Sequence, residues 1–180
     1  MGKVLETALF WHRLGVSTIP IGYMSKQPRI KWLQYTEQVP TENDLQNWFA
    51  SDQMNIGIIT GWQNLCILDF DEMDVFLKWM RWAVETGGKA KMVATQARMH
   101  LSARGVHVYI LCENAVNTKL PKIDVLAKRK YALLPPSVHP SGVPYKVYRE
   151  GLPMPVASLY DVLPRQLLHD AIAPRPVITP

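Results

Sequence analysis

Residues 65–71 read LCILDFD, four apolar residues followed by two aspartates, Asp69 and Asp71, that flank a phenylalanine. The run is short and follows Thr60-Gly61, which favours a strand buried on both faces over a helix. Because side chains alternate along a strand, both carboxylates point to the same face. Two ionised carboxylates at the end of a buried strand are costly unless a cation lies between them, and Mg²⁺ or Mn²⁺ suits oxygen ligands. The alternative is a strand end that reaches solvent, with the acids capping the next helix.

Charge is divided unevenly along the chain. Residues 1–88 carry 7 Lys+Arg against 10 Asp+Glu, whereas residues 89–180 carry 13 against 5. The basic half suits a polyanion such as nucleic acid, and the acidic half carries the paired aspartates. A basic face that contacts only solvent is the alternative.

The 180 residues, of which 48% are hydrophobic, predict one globular domain with two lobes around one cleft.

The two cysteines, Cys66 and Cys112, lie in apolar, strand-like runs. They imply neither a structural zinc site nor a disulfide framework, and we expect packed thiols in a reducing cytoplasm. No signal peptide opens the chain, and no apolar run approaches the roughly 18 residues that cross a bilayer. The sequence therefore predicts a cytoplasmic protein with no membrane partner, monomeric as an isolated domain.

Periodicity and breaker residues predict an alternation of helices and strands. Helices are expected over 3–14, over 72–86 and over 158–171, the last with a break at Pro164. A further helix is expected to begin at the N-cap Thr41, with Asp44 at its third position. Strands are expected at 16–21, 55–59, 65–71, 92–95, 106–111, 123–126, 131–134 and 145–148. Residues 127–130 join the sixth and seventh of these strands as a hairpin tip, and residues 96–105 form a loop. A single domain over 1–170 and a Pro-rich linker or tail over 171–180 complete the prediction.

The helix over 72–86 presents one broad apolar face with two tryptophans outside it. Phe76, Leu77 and Val84 belong to the predicted buried face, whereas Trp79 and Trp82 fall off it. Such tryptophans either contact a partner or show that the helix is covered on two sides. We expect the second arrangement.

Polar residues also interrupt the later apolar segments. Asp124 lies between Ile123 and Val125, and an interior aspartate must be paired or metal-bound. With Asp69 and Asp71 it would complete a three-carboxylate site of the two-metal type. A salt bridge from Asp124 to Lys122 or Lys128 is the alternative.

Residues Arg104-Gly105-Val106-His107 and the stiff loop 135–142 supply donors for a phosphate group. The glycine permits close backbone approach and Arg104 offers a bidentate donor. His107 is either a phosphate contact or a satisfied core histidine, and Ser137 and His139 are either ligand donors or ordinary turn residues. The basic loop 25–32 ends at an aromatic residue, a pattern that can bind phosphates or only solvent.

Taken together, these motifs resemble the bifunctional primase–polymerase (prim-pol) domain of the archaeo-eukaryotic primase superfamily, found in phages, plasmids and other mobile elements. The resemblance spans roughly residues 4–168 and includes the order Asp69-x-Asp71, Arg104–Tyr109, Asp124 and the PPSVHPSG loop at 135–142. One departure is Leu126, which stands where the superfamily often has an arginine; Lys128, Arg129 or Lys130 would substitute for that arginine.

The resemblance implies an α/β (α+β) fold in which a small N-terminal α/β lobe packs on an RRM-like catalytic sheet, with the cleft between them. It implies that Asp69, Asp71 and Asp124 hold two divalent ions, Mg²⁺ or Mn²⁺, and that His107 contacts the nucleotide triphosphate. The nucleotide pocket would further use five residues: Arg104, Ser137, His139 and, from the basic loop, Lys26 and Lys31. Lys128, Arg129 and Lys130 would bind DNA.

The activity implied is template-dependent nucleotidyl transfer, that is, DNA primase and DNA polymerase activity in the replication of a mobile element. Its partners would be single-stranded DNA, dNTP or NTP, and a helicase that follows as a C-terminal domain or a separate protein. Alternatives are a catalytically inactive nucleic-acid-binding module of the same fold and a metal-dependent nucleotide phosphohydrolase. A rolling-circle nuclease would need two paired histidines, and His107-Val108-Tyr109 supplies one.

Overall fold

The protein is described by a computed structural model that covers residues 2–172, and it has the predicted α+β fold. The helices are α1 (Lys3–Arg13), α2 (Glu42–Trp48), α3 (Met73–Thr86), α4 (Gly88–Gln96) and α5 (Arg165–Ile172). The strands are β1 (Thr18–Ile21), β2 (Asn55–Ile59), β3 (Leu65–Phe70), β4 (Met99–Leu101), β5 (Val106–Leu111), β6 (Thr118–Leu120), β7 (Ile123–Leu126), β8 (Tyr131–Leu133), β9 (Lys146–Arg149) and β10 (Met154–Pro155).

The strands form two sheets. The smaller sheet has three antiparallel strands in the order β1-β2-β8, and the larger has seven, with the path β6-β7-β3-β5-β4-β9 and β10 paired to β5. Within the larger sheet β5 lies antiparallel between β3 and β4, while α3 and α4 connect those outer two strands. This is a split β-α-β unit, the arrangement expected of an RRM-like sheet.

The central strands of the larger sheet are covered on both faces. Leu68 and Phe70 pack with α3 and α4 on one face, whereas Leu65 and Ile67 pack with α1, α2 and β2 on the other. Because both faces are covered, the apolar run before Asp69 shows no alternation of polar and apolar residues. The N-terminal elements thus pack directly on the face of the sheet to which Asp69 points.

Two predicted helix ends have the expected local chemistry. The Thr41 hydroxyl accepts a hydrogen bond from the Asp44 backbone N–H, and the Asp44 carboxylate accepts one from the Thr41 backbone N–H, so α2 begins with a complete capping box. Gly87, at φ +78°, ends α3. Both ends depend on residues within one turn, which is why the sequence predicted them.

The prediction of a strand at 92–95 was wrong, because α4 covers these residues. Ala90, Val93 and Ala94 form the buried side of α4, which is a helical spacing visible only in a window longer than four residues. The predicted loop 96–105 contains strand β4, which pairs with β5 and β9.

The hairpin predicted over 123–134 was also wrong. β7 pairs with β3 and β6 in the larger sheet, whereas β8 pairs with β2 in the smaller sheet. Residues 127–130 therefore connect the two sheets. This position places them at the boundary of the two lobes.

The buried face of α3 differs from the predicted one. Leu77 and Val84 are exposed, whereas Trp79 is buried and donates a hydrogen bond from Nε1 to the Val162 carbonyl, at 2.8 Å. The helix is therefore covered on a second side by the segment before α5, in agreement with the expectation for Trp79. That segment lies 83 residues away in sequence, so the spacing within α3 could not reveal it.

The end of the chain is described as far as α5, which stops at Ile172. The predicted Pro-rich segment lies, from residue 173 on, outside the described residues. Among the helices of residues 2–172, none has the length and apolar content needed to cross a membrane.

Candidate active site

Strand register brings three predicted site residues into one row. Asp69 on β3 pairs directly with His107 on β5 and with Asp124 on β7. Directly paired residues point to the same face with their Cβ atoms about 4.5–5.5 Å apart. Asp71 follows Asp69 on the same face, so the row gathers three carboxylates and one imidazole from segments far apart in sequence.

A cleft of about 280 Å³ opens between the two sheets beside this row, and Asp124 is not among the residues that line it. The larger sheet contributes Asp69, Asp71, His107 and Leu126, and the smaller sheet contributes β8. The remaining lining residues come from connecting loops: Lys26, Ser102, Ala103, Arg104, His139 and Tyr145. Two carboxylates at the floor of the cleft thus lie opposite cationic side chains on its rim.

His107 is buried and lies next to a carboxylate. Its Nε2 is 3.3 Å from Asp69 Oδ1, and only 6% of its side chain is exposed. Burial raises the pKa of Asp69, but the charge of His107, with Lys26 beyond it, outweighs burial and holds that pKa below its ordinary value. The buried Nδ1 of His107 has no hydrogen-bond partner in the described chain, so His107 is not a fully satisfied core histidine.

Asp124 is the least satisfied of the carboxylates. Its Oδ1 is buried without a hydrogen-bond partner in residues 2–172, and its Oδ2 lies 3.8 Å from Lys119 Nζ. Burial raises the pKa of Asp124 above its ordinary value; Lys119 opposes this effect, and the nearby Asp71 and Asp69 add to it. The alternative pairing of Asp124 with Lys122 or Lys128 was wrong. Lys122 instead lies 2.8 Å from Glu72.

Gly105 is required by the backbone of β3. A Cβ at this position would collide with the Phe70 carbonyl oxygen and would lie 2.8 Å from the Phe70 carbonyl carbon and 3.0 Å from that of Asp71. The turn before β5 therefore packs against the segment that carries Asp69 and Asp71. The sequence pattern indicated close approach at Gly105, but it pointed to a phosphate group and did not show that the neighbour is this backbone.

The predicted nucleotide-pocket residues separate into two groups. Lys26, Arg104 and His139 line the cleft, whereas Lys31 is exposed and is not among the residues that line it. Burial, with Lys26 and Arg104, lowers the pKa of His139. Ser137 is buried, and its hydroxyl accepts from the Ile56 N–H at 2.9 Å and contacts the Ile56 carbonyl at 3.2 Å. We therefore leave Ser137 out of the site, because its hydroxyl anchors the 135–142 loop to β2.

Asn55 is a positioning residue that sequence reasoning missed. It is fully buried, and its Nδ2 donates to the Ser25 carbonyl at 3.1 Å and to the Val138 carbonyl at 2.7 Å. Its Oδ1 accepts from the Val138 N–H at 2.9 Å. One side chain thus joins the loop of Lys26 to the loop of His139. Its sequence signal was only a polar residue at the start of an apolar strand.

Tyr145 is a second residue of the cleft that was missed. Its ring centroid lies 6.0 Å from that of His107 and 6.3 Å from that of His139. Burial and the charge of Asp69 raise its pKa to about 12, so the hydroxyl remains a donor at neutral pH. No strand pattern distinguished Tyr145 from an ordinary apolar residue.

The basic run 128–130 is held at both ends. The Asn117 side chain accepts from the Ala127 and Lys128 N–H groups, at 2.8 and 3.0 Å. On the other side, the backbone of Lys130 bonds with Thr60. The three side chains are exposed, and Arg129 lies 3.3 Å from Glu37. A fixed backbone with exposed cations suits contact with a phosphate chain.

The carboxylates suit a divalent cation in type and placement. They are hard oxygen donors, and the unpartnered Oδ1 of Asp124 is an acceptor that no protein group satisfies in the described chain. Nevertheless, nowhere in residues 2–172 do three His, Cys, Asp or Glu side chains already converge on one point. A bound cation would therefore have to draw the carboxylates together.

Comparison with known protein families identifies a match over most of the chain. The family of bifunctional DNA primase/polymerase N-terminal domains (Prim-Pol) matches residues 8–161, which is most of the chain. A search of curated protein sequences with this chain found no match.

Proposed function

Because the chain belongs to the Prim-Pol family of bifunctional DNA primase/polymerase N-terminal domains, we propose that it synthesises DNA on a single-stranded template by two-metal nucleotidyl transfer. The observation that supports this proposal is the register that pairs Asp69 with both His107 and Asp124, beside a cleft that Asp69 and His107 line together with cationic side chains. The setting would be the replication of a phage, plasmid or other mobile element, with a helicase as partner.

In this proposal Asp69, Asp71 and Asp124 hold two Mg²⁺ or Mn²⁺ ions. When bound, the ions would lower the pKa of the attacking 3′-hydroxyl and neutralise charge on the leaving pyrophosphate. Asp124, whose raised pKa reflects its burial and the neighbouring carboxylates, gains most from a cation. Without a cation, the ionised Asp124 side chain costs stability. Binding of a cation and movement of the three carboxylates toward it would therefore favour each other.

The triphosphate would lie against the cationic rim. Arg104, Lys26 and His139 face the cleft, and Arg104 forms no ion pair with an acid of the described chain that would compete for its guanidinium. His107 would contact the phosphates while its neighbour Asp69 faces the ions. The hydroxyl of Tyr145, whose ring lies near the rings of both histidines, would donate a hydrogen bond to a phosphate oxygen.

The template would lie along the exposed cations of 128–130, at the boundary of the two sheets. Contacts of this type are independent of sequence and weaken with salt. De novo priming, which needs two nucleotides held together without a primer, is part of the proposal. It rests on family membership alone.

Primer extension beside de novo priming tests the proposal. The protein is incubated with labelled dNTP and either a primed or an unprimed single strand, with Mg²⁺, Mn²⁺ or EDTA. We expect chain growth that requires a divalent ion and that is lost in Asp69→Asn. The matched control is Asp74→Asn, an exposed aspartate on α3 that pairs with Lys78.

Each failure has a distinct meaning. Release of dNMP without chain growth would identify a phosphohydrolase, and DNA binding with neither product would identify an inactive binding module. Extension by Asp69→Asn at more than about a tenth of the wild-type rate would remove Asp69 from the metal site.

His107 has its own test. In His107→Ala, a nucleotide contact predicts a higher apparent KM for dNTP or a slower rate with DNA affinity unchanged. A purely structural histidine predicts a loss of about 1–3 kcal/mol in unfolding free energy with a normal dNTP response.

A further inference from the structure

The loop that follows β1, residues 22–31, exposes two large apolar side chains. Tyr23 is 47% exposed and Met24 is 44% exposed. Met24 also has φ +50°, a backbone conformation that costs a non-glycine residue energy and is concentrated at functional sites. The loop therefore exposes Tyr23 and Met24 to solvent, although neither side-chain packing nor the backbone preference of Met24 favours this conformation.

This loop is held in one conformation. Within it, the Gly22 N–H donates to the Gln27 carbonyl at 2.9 Å, and the Gln27 N–H donates to the Ser25 hydroxyl at 3.0 Å. From outside, Asn55 donates to the Ser25 carbonyl, and the Tyr131 hydroxyl donates to the Lys26 carbonyl at 2.8 Å. The exposed side chains thus extend from a fixed base, which lowers the entropy lost when a ligand packs on them.

The charge around the two side chains has one sign. Residues 22–31 contain Lys26, Arg29 and Lys31 and no acid. None of these cations forms an ion pair with an acid of the described chain. Lys26 faces the cleft, and the Tyr131 bond places the loop beside the strand that follows the 128–130 run. The exposed apolar pair thus belongs to a loop whose charges are all positive and of which one residue, Lys26, lines the cleft.

We propose that Tyr23 and Met24 are a stacking platform for bases of the single-stranded template as it reaches the cleft. An exposed aromatic among cations is the combination that binds single strands, because bases stack on the ring while phosphates meet the cations. The inference rests on the proposed function and adds to it the place where unpaired template bases are held. The tyrosine ring supplies the base contact, and Arg29 and Lys31 supply the phosphate contacts.

Binding of two probes to two proteins tests the platform. The probes are a fluorescein-labelled oligo-dT of about 12 nucleotides and an abasic oligomer of equal length, which has the same phosphates but no bases. Fluorescence anisotropy measures Kd for wild type and Tyr23→Ala. We expect wild type to prefer the oligo-dT by about five-fold or more, and Tyr23→Ala to lose most of that preference.

Two further variants separate stacking from other effects. Tyr23→Phe keeps the ring and should bind both probes like wild type. Tyr148→Ala removes a tyrosine of equal exposure, 47%, from the far edge of the larger sheet and should change neither Kd. Because Tyr23 carries no charge, the salt dependence of binding should have the same slope in Tyr23→Ala as in wild type.

The outcomes distinguish this inference from the function on which it rests. If wild type binds neither probe, the proposed template binding fails. If wild type binds and Tyr23→Ala keeps the full preference for the oligo-dT, the stacking platform is refuted. If Tyr23→Ala binds both probes more weakly than wild type by the same factor, the stacking platform is also refuted, because loss of a base contact cannot affect binding of an abasic strand. Thermal melting of Tyr23→Ala should nearly match wild type, since about half of the side chain is in solvent.

Discussion

Gly105→Ala should damage both stability and catalysis, because the added methyl group enters the backbone beneath the two aspartates. The new Cβ would collide with the Phe70 carbonyl oxygen and lie 2.8 Å from the Phe70 carbonyl carbon. Neither neighbour is a flexible side-chain end, so the turn before β5 or the end of β3 must move. Phe70 lies between Asp69 and Asp71, which means that the displacement reaches the proposed metal ligands.

The expected losses of stability and rate in Gly105→Ala follow from how far the backbone must move. Real Cβ contacts are essentially never shorter than 3.0 Å, so both the oxygen and the carbon of this carbonyl must withdraw. Overpacking of this kind typically costs about 1–3 kcal/mol. For a chain of this size about 1 kcal/mol changes Tm by roughly 2–4 °C, so we expect Tm to fall by about 2–12 °C. A ligand displaced by about 1 Å can reduce the rate by roughly 100-fold.

Thermal melting and primer extension on one purified variant measure both effects. Gly57→Ala is the control: Gly57 is a buried glycine of β2, but the atoms nearest to its added Cβ would belong to the Ile21 and Ile19 side chains, at 3.3 and 3.4 Å. We expect that control to lose little of either property. A Gly105→Ala protein that melts like wild type and extends primers at a similar rate would refute the backbone argument.

Four further changes test separate parts of the site. Asp124→Asn should raise Tm in metal-free buffer at pH 7: its pKa is raised in the folded state, so the ionised form costs stability at high pH, and the gain should vanish as pH falls to the ordinary aspartate range. Replacing all three cations of 128–130 by glutamine should weaken DNA binding and lower the log–log salt slope by up to about three units. Asn55→Ala should cost about 1–3 kcal/mol, because it leaves buried backbone groups without partners, and should also raise the KM for dNTP. Tyr145→Phe should raise the Kd for dNTP about ten-fold without changing Tm.

Each of these four predictions has an outcome that would contradict it. An Asp124→Asn protein that melts lower than wild type at pH 7 would mean that Lys119 outweighs burial. An unchanged salt slope would show that 128–130 contacts solvent alone, and the same triple change at Arg81, Lys89 and Lys91 is its control. For Asn55→Ala, lower stability with a normal KM would limit Asn55 to the core. For Tyr145→Phe, unaltered dNTP affinity would remove its hydroxyl from the phosphate site.

Local chemistry explains what the sequence alone determined. The apolar run before Asp69 predicts a buried strand, and alternation then places Asp71 on the same face as Asp69, whatever the strand pairs with. The capping box at Thr41 involves residues within one helical turn. The presence of β3 and the beginning of α2 were therefore readable without knowledge of the fold, and the order of the motifs indicated the family.

Pairing between distant segments was decided only by the tertiary structure. His107 and Asp124 meet Asp69 because β5 and β7 adopt one register on either side of β3; a shift of either strand by one residue would turn its side chain to the opposite face. The roles of Asn55 and Ser137 depend on hydrogen bonds between β2 and the 135–142 loop, which are about 80 residues apart in sequence. Sequence patterns describe one segment at a time, whereas these contacts are set by the free energy of burying both sheets and satisfying their buried polar groups together.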